Sequence, residues 1–402
     1  MPVLLAALGA LLMSLDSAIN IVLPAMADAF SVEAAAVRWV IICYVLTYAV
    51  TAFAAGVLAD RLGPGPVFTA GLWLSGATFL GYLAAPGYGT VLLLRAAQGF
   101  GGGLVYGTAP ALVTLSLPPA RHGRGLGSMS LGLGVGLGIG PLLGGVMLEH
   151  WGWASTFLFR APLFLALAVL AQSQARRLRG AMPGGARRLP ALAPAIADVA
   201  RLPVLRAALL AFLSNYAQFA VWLLAPFFLV GTLGLSPTVG GLVFALTPLG
   251  NALVAPLGGW ATDRVGPRAP LACGLALEVA GLLLIATLTG ATPLALVALG
   301  LALVGLGVGL FQVPNLALLM ASFPPAQQGV AGGLAFLSRT LGSALGVQVT
   351  AALFAARLAR EGFLPAFHAA FVGAGAVCAV AAVLAILPGG RGRATGAAAS
   401  GR

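Results

Sequence analysis

A few charged and amide side chains stand alone inside long apolar stretches of this sequence, and these residues could carry chemistry. Asp16 lies in SLDSAINIVLP, and Arg95 lies in LRAAQGFGGG one helical turn before Gln98. Asn20 follows Asp16 by four residues, so their side chains share one helix face. A buried carboxylate beside an arginine can take up and release a proton as its access to water changes. Alternatively, Asp16 and Arg95 form a buried pair that only fixes helix packing.

A second isolated acid, Glu278, occurs in the apolar run GLALEVAGLLL. It is either a further site for proton or substrate, or a protonated carboxyl that hydrogen-bonds to a neighbouring helix, and the sequence leaves both open. Polar and aromatic side chains within apolar runs are the usual ligand contacts in such a setting. The candidate substrate-binding residues are therefore Asn20, Gln98, Asn215, Gln218, Trp222, Glu278, Asn315 and Arg339.

The elements that must position these residues follow from composition. Hydrophobic residues make up 60% of the chain and charged residues only 7%, with a mean hydropathy of +1.04. A soluble domain carries roughly 25% charged residues. Apolar windows of about 20 residues, the length that crosses a bilayer as a helix, recur along nearly the whole chain. The sequence thus predicts an all-α integral membrane protein.

Twelve spans are predicted, in two sets of six separated by a segment rich in Arg, Pro and Gly. The domains expected are a first half (1–172), a cytoplasmic central loop (173–203), a second half (204–388) and a cytoplasmic tail (389–402). The spans are 3–25, 39–59, 66–85, 90–115, 125–148 and 153–170, then 207–230, 238–260, 269–288, 293–320, 328–353 and 364–387.

Charge placement predicts the orientation. All 21 basic residues are Arg, and the net charge is +12. With a cytoplasmic N-terminus, most of them fall on the inner side, and only Arg38, Arg160, Arg357 and Arg360 fall outside. This asymmetry follows the positive-inside rule. The net positive charge therefore sets the membrane topology and does not indicate nucleic-acid binding. We expect a multi-pass protein of the plasma membrane, the inner membrane of a bacterial cell, with both termini cytoplasmic.

One charged turn occurs twice, as GVLADRLGPGP and as GWATDRVGPR about 200 residues later. The copies fall in equivalent loops of the two sets of spans, which indicates two pseudo-symmetric halves. Asp and Arg there can cap helix ends that separate and re-form as the protein changes state, although each copy alone also fits a plain polar turn. The predicted conformational-switch loops comprise Gly56, Asp60, Arg61, Gly63, Asp263, Arg264 and Gly266.

The fifth span, GSMSLGLGVGLGIGPLLGGVM, has glycine at every fourth position. Such a face lets another helix approach very closely, and the proline that follows permits a bend. A general abundance of glycine would not explain this period. The residues of the motif are Gly136, Gly140, Pro141, Gly144 and Gly145.

These motifs together resemble the major facilitator superfamily. Gly56, Asp60, Arg61 and Gly63 are similar to its loop signature, except that Pro64 and Gly65 replace the usual basic pair. RAAQGFG resembles the R-x-x-Q-G-x-G pattern of its proton-coupled members, and GLGIGPLLGG resembles its antiporter signature G-x-x-x-G-P-x-x-G-G. In WGWASTFLFRAPL, Arg160 stands where the pattern of the drug/proton antiporters has Asn.

The resemblance implies two six-helix halves of the major facilitator fold, with Asp16 and Arg95 in proton coupling. It implies proton-coupled antiport that exports small amphipathic organic compounds or drugs, as in multidrug efflux. The motif WGWASTFLFRAPL and the later FPPAQQGVAGGLAFLSRTLGSALGV, which resembles the eleventh-helix region of the drug/proton antiporters, suggest a branch with fourteen helices, whereas only twelve spans are found.

Two alternatives remain: a superfamily transporter of a defined metabolite (a sugar or organic anion), and a non-transporting membrane enzyme or receptor-like scaffold. The absence of a metal-ligand set, a phosphate loop and a paired nucleophile argues against an enzyme. The expected partners are a small-molecule substrate, protons and the lipid bilayer. We expect no cofactor, no metal, no nucleic acid and a monomeric chain.

Overall fold

The computed structural model of the chain describes residues 1–32, 39–85, 87–174, 198–235 and 237–387, and within them it contains helices and no strand. The side chains of Asn20, Ile21, Pro24, Pro237 and Thr238 lie outside the described part. So do most of the predicted central loop (175–197) and the predicted tail (388–402).

Besides a four-residue helix at Ser155–Leu158, the described part of the first half contains seven helices, which we number in chain order: α1 (Pro2–Ser14), α2 (Ile19–Phe30), α3 (Trp39–Leu62), α4 (Pro64–Gly81), α5 (Tyr88–Thr114), α6 (His122–Trp151) and α7 (Arg160–Ser173). The second half also contains seven: α8 (Leu202–Phe227), α9 (Pro237–Phe244), α10 (Leu246–Val265), α11 (Arg268–Ile285), α12 (Leu294–Ala321), α13 (Gln328–Glu361) and α14 (Phe363–Ile386).

These helices build twelve spans. Among the described residues, ten helical stretches, one of them α9 together with α10, are long and apolar enough to cross a membrane. A further span is the pair α1 and α2, joined by a 3-10 turn at Leu15–Ala18. The remaining span is α5, which has the length but carries Arg95, Gln98 and several glycines. In the second half, α9 and α10 together form one span. The boundaries therefore differ from the expected ones where a span is broken.

Each half has its own aromatic core. Phe68, Phe79, Phe157 and Phe164 are fully buried in the first half. Phe228, Phe311, Phe367 and Phe371 are the counterparts in the second half. Many leucines on the outer surface are exposed instead, as expected where lipid replaces water as the solvent.

The glycine-rich helix α6 lies between the two halves. The face with glycine at every fourth position packs on the first span. A Cβ at Gly136 would overlap the Leu11 carbonyl, and a Cβ at Gly144 would meet Ala18. On its other face, Gly134 packs closely against Ala252 of α10. Helix α6 runs unbroken through Pro141. A Cβ at Gly145 would meet nothing within 4 Å, so packing does not explain that glycine.

The repeated charged turn is not a loop, which corrects the expectation. Asp60 and Arg61 belong to the last turn of α3, and Asp263 and Arg264 to the last turn of α10. The residues between the helices are Gly63 in the first copy and Gly266 with Pro267 in the second, and the two glycines have φ values of 89° and 82°. These dihedrals are open to glycine and strained for other residues. A glycine with positive φ thus begins each short connection, and the preceding acid stays in regular helix.

Candidate functional site

The carboxylate of Asp16 is the centre of a buried polar cluster. It lies in the 3-10 turn that interrupts the first span and accepts two hydrogen bonds from Arg95, from Nη1 and Nη2, each at 2.8 Å. Arg160 Nη1 donates a third at 2.8 Å, and Gln98 Nε2 donates a fourth at 2.9 Å. The predicted neighbours Asp16 and Arg95 are therefore in direct contact, in a bidentate geometry.

Arg160 corrects the expected topology. The sequence places it outside the membrane, whereas the structure buries it at the start of α7 against the Asp16 carboxylate. Its guanidinium also lies 4.5 Å from the centre of the Phe79 ring, and its Nε donates to the Thr156 carbonyl at 3.0 Å. Nη2 of Arg160 has no hydrogen-bond partner among the described residues. One acid thus faces two cations, which leaves an excess of positive charge.

Arg95 is fixed from several sides. Its Nε donates to the Val40 carbonyl at 2.7 Å, and its guanidinium lies 4.4 Å from the centre of the Tyr44 ring. Nη1 also donates to Gln98 at 2.8 Å. Gln98, predicted as a substrate contact, is therefore a member of the cluster around Asp16. Its amide bonds both partners of the ion pair and helps to satisfy their buried polar atoms.

A row of aromatic side chains leads away from this cluster. Tyr44 stacks on Tyr48 with ring centres 5.9 Å apart, Tyr48 meets Tyr106 edge-on at 5.4 Å, and Tyr106 lies 5.0 Å from Phe336. We call these four residues the aromatic row. It begins over Arg95 in the first half and ends at Phe336, whose ring centre lies 5.5 Å from the Arg339 guanidinium in the second half.

A small cavity lies beside the far end of this row, between α8, α12 and α13. Three predicted substrate contacts, Asn215, Asn315 and Arg339, line it. The Asn315 amide donates to the Ala207 carbonyl at 3.0 Å, while its Oδ1 has no partner in the described part of the chain. The other lining residues are Ala211, Phe311, Gln312, Leu316, Ala335 and Phe336. The wall is therefore apolar and aromatic with a few polar groups, as small-molecule sites are.

The remaining predicted contacts lie elsewhere. Gln218 is buried in α8 outside the cavity wall, and Trp222 packs edge-on against Phe244 at 5.1 Å. Glu278 is fully buried and accepts a hydrogen bond from Ser214 Oγ at 2.8 Å, so it faces a neighbouring helix. The side chain of Asn20 lies outside the described residues.

The two halves meet tightly at the end of the bundle that carries Asp60 and Asp263, which we call the inner end. Asp60 accepts hydrogen bonds from the backbone N–H groups of Gly329 and Val330, at 2.7 and 2.9 Å. Those groups begin α13, so the carboxylate of one half caps a helix of the other half.

The second copy of the motif repeats this contact. Asp263 accepts hydrogen bonds from the backbone N–H groups of Gly123 and Arg124, at 2.8 and 3.0 Å, at the start of α6. In each copy the glycine one turn earlier packs directly on the partner backbone, Gly56 on Gly329 and Gly259 on Gly123. Arg61 and Arg264 are exposed, and Arg264 lies over the Trp260 ring at 4.6 Å. The duplicated acids therefore close the inner end symmetrically.

The sequence model of the Major Facilitator Superfamily matches residues 5–217 and 207–401. The chain belongs to the major facilitator superfamily. It is therefore a membrane transporter and not an enzyme.

Relatives and a solved structure agree with this family. The chain is 26% identical to the riboflavin transporter RibZ of Clostridioides difficile over 87% of each protein. It is 28% identical to the multidrug resistance protein Stp of Mycobacterium tuberculosis over 87% of this chain and 75% of that protein. The human organic anion transporter MFSD10 (TETRAN) has the same fold, with a TM-score of 0.76 and 19% identity over 95% of this chain and 98% of that one.

Several residues of the site in this superfamily member escaped sequence reasoning. Arg160 had one available signal, because it replaces the Asn of the antiporter pattern at the first position of α7. Tyr44 and Tyr48 are spaced by four in α3 and so share a face, but that spacing is equally typical of packing. Tyr106, Phe336 and Gln312 carried no distinguishing signal.

Proposed function

We propose that this chain is a proton-coupled antiporter that exports small amphipathic organic compounds by alternating access. The observation that carries the proposal is the buried Asp16 carboxylate, held between Arg95 and Arg160. An ionisable group at membrane depth is costly to bury and is usually retained for function. The similarity of the chain to Stp, a multidrug resistance protein, supports drugs as the substrate class.

Protonation of Asp16 removes the one negative charge that Arg95 and Arg160 share. The guanidiniums then lose the negative charge between them and repel each other, so the cluster must rearrange. The turn that carries Asp16 packs on Gly140 of α6, and the opposite face of α6 packs on α10 of the second half. A change at the acid can therefore alter the contact between the halves, as coupling of proton and substrate requires.

The other predicted roles fit the same cycle. Asp60 and Asp263 hold the inner end closed in the described conformation, and their release would open it. We propose that this end is cytoplasmic, that both termini lie on that side, and that 173–203 links the halves there in the plasma membrane. The exposed arginines Arg61, Arg124 and Arg264 at this end support that orientation.

Transport into inside-out membrane vesicles tests the proposal. Vesicles with an imposed pH gradient, acidic inside, are given fluorescent amphipathic dyes of positive, zero and negative charge. We expect the wild type to accumulate at least one dye in a gradient-dependent way and Asp16→Asn to lose that accumulation. The matched control is Asp28→Asn, an exposed acid at the outer end of the same span.

Full gradient-dependent accumulation by Asp16→Asn would contradict the assignment of the proton site. Accumulation by the wild type that ignores the gradient would contradict proton coupling. A second candidate, export of one defined metabolite, is favoured by the similarity to the riboflavin transporter RibZ. Riboflavin is therefore tested beside the dyes to distinguish the two functions. A transporter of one metabolite would accumulate one compound and leave the dyes outside the vesicles.

A further inference from the structure

We propose that the cavity between α8, α12 and α13 binds an organic anion with a flat apolar body, and that Arg339 is the residue that holds its negative group. This names the substrate class at the same site and rests on the proposed transport function.

Arg339 differs from the other arginines in the core. Arg95 and Arg160 are both engaged by Asp16, and the exposed Arg357, also on α13, lies 3.4 Å from Glu361. Arg339 is half-buried in the cavity wall, and among the described residues its guanidinium has no carboxylate partner and no hydrogen-bond acceptor. A charged side chain at this depth is expensive unless water or a partner reaches it. Arg339 lines this small cavity, and movement of the two halves during transport would widen the cavity for a ligand.

No described acidic residue lines the cavity to neutralise Arg339. Asp16 is occupied by two arginines, and Glu278 is bonded to Ser214 outside the cavity wall. Asp60 and Asp263 are bonded to backbone N–H groups at the inner end. The field at the cavity is therefore positive. An enclosed positive field concentrates anions and repels cations.

The rest of the wall fits an aromatic ligand. Phe311 and Leu316 supply an apolar surface, and Phe336 adds a ring directly beside the Arg339 guanidinium. Asn315 is 4% exposed and its Oδ1 has no partner in the described part of the chain. A buried acceptor left unpaired is unfavourable, so a hydroxyl on the ligand could satisfy it. The chemistry that suits these groups is an aromatic sulfonate or carboxylate.

Equilibrium dialysis of the purified full-length protein in a neutral detergent tests this proposal. The probes are 2-naphthalenesulfonate and trimethyl(2-naphthyl)ammonium, which share a ring system and carry permanent charges of opposite sign. Binding to empty micelles is subtracted. We expect the wild type to bind the sulfonate at least about tenfold more tightly than the ammonium, since a charge-assisted contact is among the stronger hydrogen bonds.

Three variants locate the effect. Arg339→Gln should lose the preference for the sulfonate over the ammonium. Arg339→Lys should still prefer the sulfonate but bind it more weakly, because lysine lacks the planar fork of donors. Arg357→Gln, on the same helix but exposed, is the matched control and should bind both probes as the wild type does. Retention of the preference in Arg339→Gln would show that another group holds the anion.

The wild type alone already decides the charge class, even if Arg339→Gln fails to fold. Failure to bind the sulfonate, or tighter binding of the ammonium, overturns the proposal. Dialysis uses no proton gradient, so its result is independent of antiport. Binding of the sulfonate together with gradient-independent transport would remove only the proposed proton coupling.

Discussion

At the residue scale, the main feature is a buried carboxylate that accepts hydrogen bonds from two arginines but can neutralise the charge of only one. Asp16 accepts hydrogen bonds from Arg95, Arg160 and Gln98, all at 2.8 to 2.9 Å. Removing one partner of a buried ion pair leaves the other charge uncompensated and costs about 3–5 kcal/mol. The cluster has one more cation than it has acids, so the loss of the acid and the loss of one arginine should differ in cost.

A first prediction concerns Arg160, which the sequence placed outside the bundle. Asp16→Asn leaves two facing cations and should lower the unfolding free energy by about 3–5 kcal/mol. Arg160→Gln leaves a balanced pair of Asp16 and Arg95 and should cost less. Thermal unfolding of the purified protein in detergent measures both.

The double variant completes this cycle. We expect Asp16→Asn with Arg160→Gln to be more stable than Asp16→Asn alone, because it removes one of the two repelling charges. Additive effects of the two substitutions would show that Arg160 and Asp16 are not energetically coupled, despite the 2.8 Å contact.

At the element scale, α6 lies between the first span and the second half and packs closely against both. Its glycines at Gly136 and Gly144 bring the helix backbones close to α1 and to the turn that holds Asp16. Close backbone approach of this kind depends on the absence of side chains. The geometry of the Asp16 cluster therefore depends on a helix that carries none of its charged groups.

A second prediction tests the close contact between α6 and α1. Gly136→Leu should displace α6 from α1, because even a Cβ there overlaps the Leu11 carbonyl and approaches Ser14, so we expect loss of transport and a lower yield of folded protein. Gly145→Leu is the matched control, since a Cβ at that position meets nothing within 4 Å. Size-exclusion profiles and dye accumulation in inside-out vesicles measure both. Equal behaviour of the two variants would argue against close packing as the role of the motif.

A third prediction concerns the helix caps at the inner end. Asp60→Ala removes two charge-assisted hydrogen bonds to the start of α13. Each is worth about 1.5–3 kcal/mol, so the closed conformation should lose population by about tenfold or more. Spin labels at the exposed positions Leu62 and Ala326, in a cysteine-free background, should report longer distances in Asp60→Ala.

The duplicated motif supplies a further check on this contact. Asp263→Ala should lengthen the same label distance, because Asp263 caps α6 across the equivalent interface. An unchanged distance distribution in both variants would show that other contacts keep the inner end closed.

At the scale of the whole molecule, the charge of the substrate determines how the membrane potential acts. Export of a monovalent anion in exchange for one entering proton moves two positive charges inward, whereas exchange of a monovalent cation for one proton moves none. Each charge contributes about 2.3 kcal/mol per 100 mV. An anion exporter is therefore driven by both the pH gradient and the potential.

A fourth prediction follows for proteoliposomes loaded with 2-naphthalenesulfonate. A potassium diffusion potential that is negative inside should speed proton-dependent release of the sulfonate by the wild type. Arg339→Gln should release it slowly at any potential, and Arg357→Gln should match the wild type. Release that is insensitive to the potential would contradict an anion exchanged for protons.

The sequence by itself determined the elements of this protein. Hydropathy sets the spans, the repeated acids identify two related halves, and the glycine period of α6 predicts a close contact, because these signals are local to each helix. The cost of leaving a charge alone in an apolar helix predicts that Asp16 and Arg95 each need a partner, and the structure shows that they contact each other.

Only the tertiary structure decided which distant side chains share an environment. Arg160 lies 144 positions from Asp16 in the chain, and its burial depends on how α7 packs beside the first span. The aromatic row joins α3, α5 and α13, and the unpaired state of Arg339 depends on which acids face the cavity. Hydropathy and helical period specify the face of a helix, but they do not specify which neighbour covers that face, and the charge of the cavity depends on that neighbour.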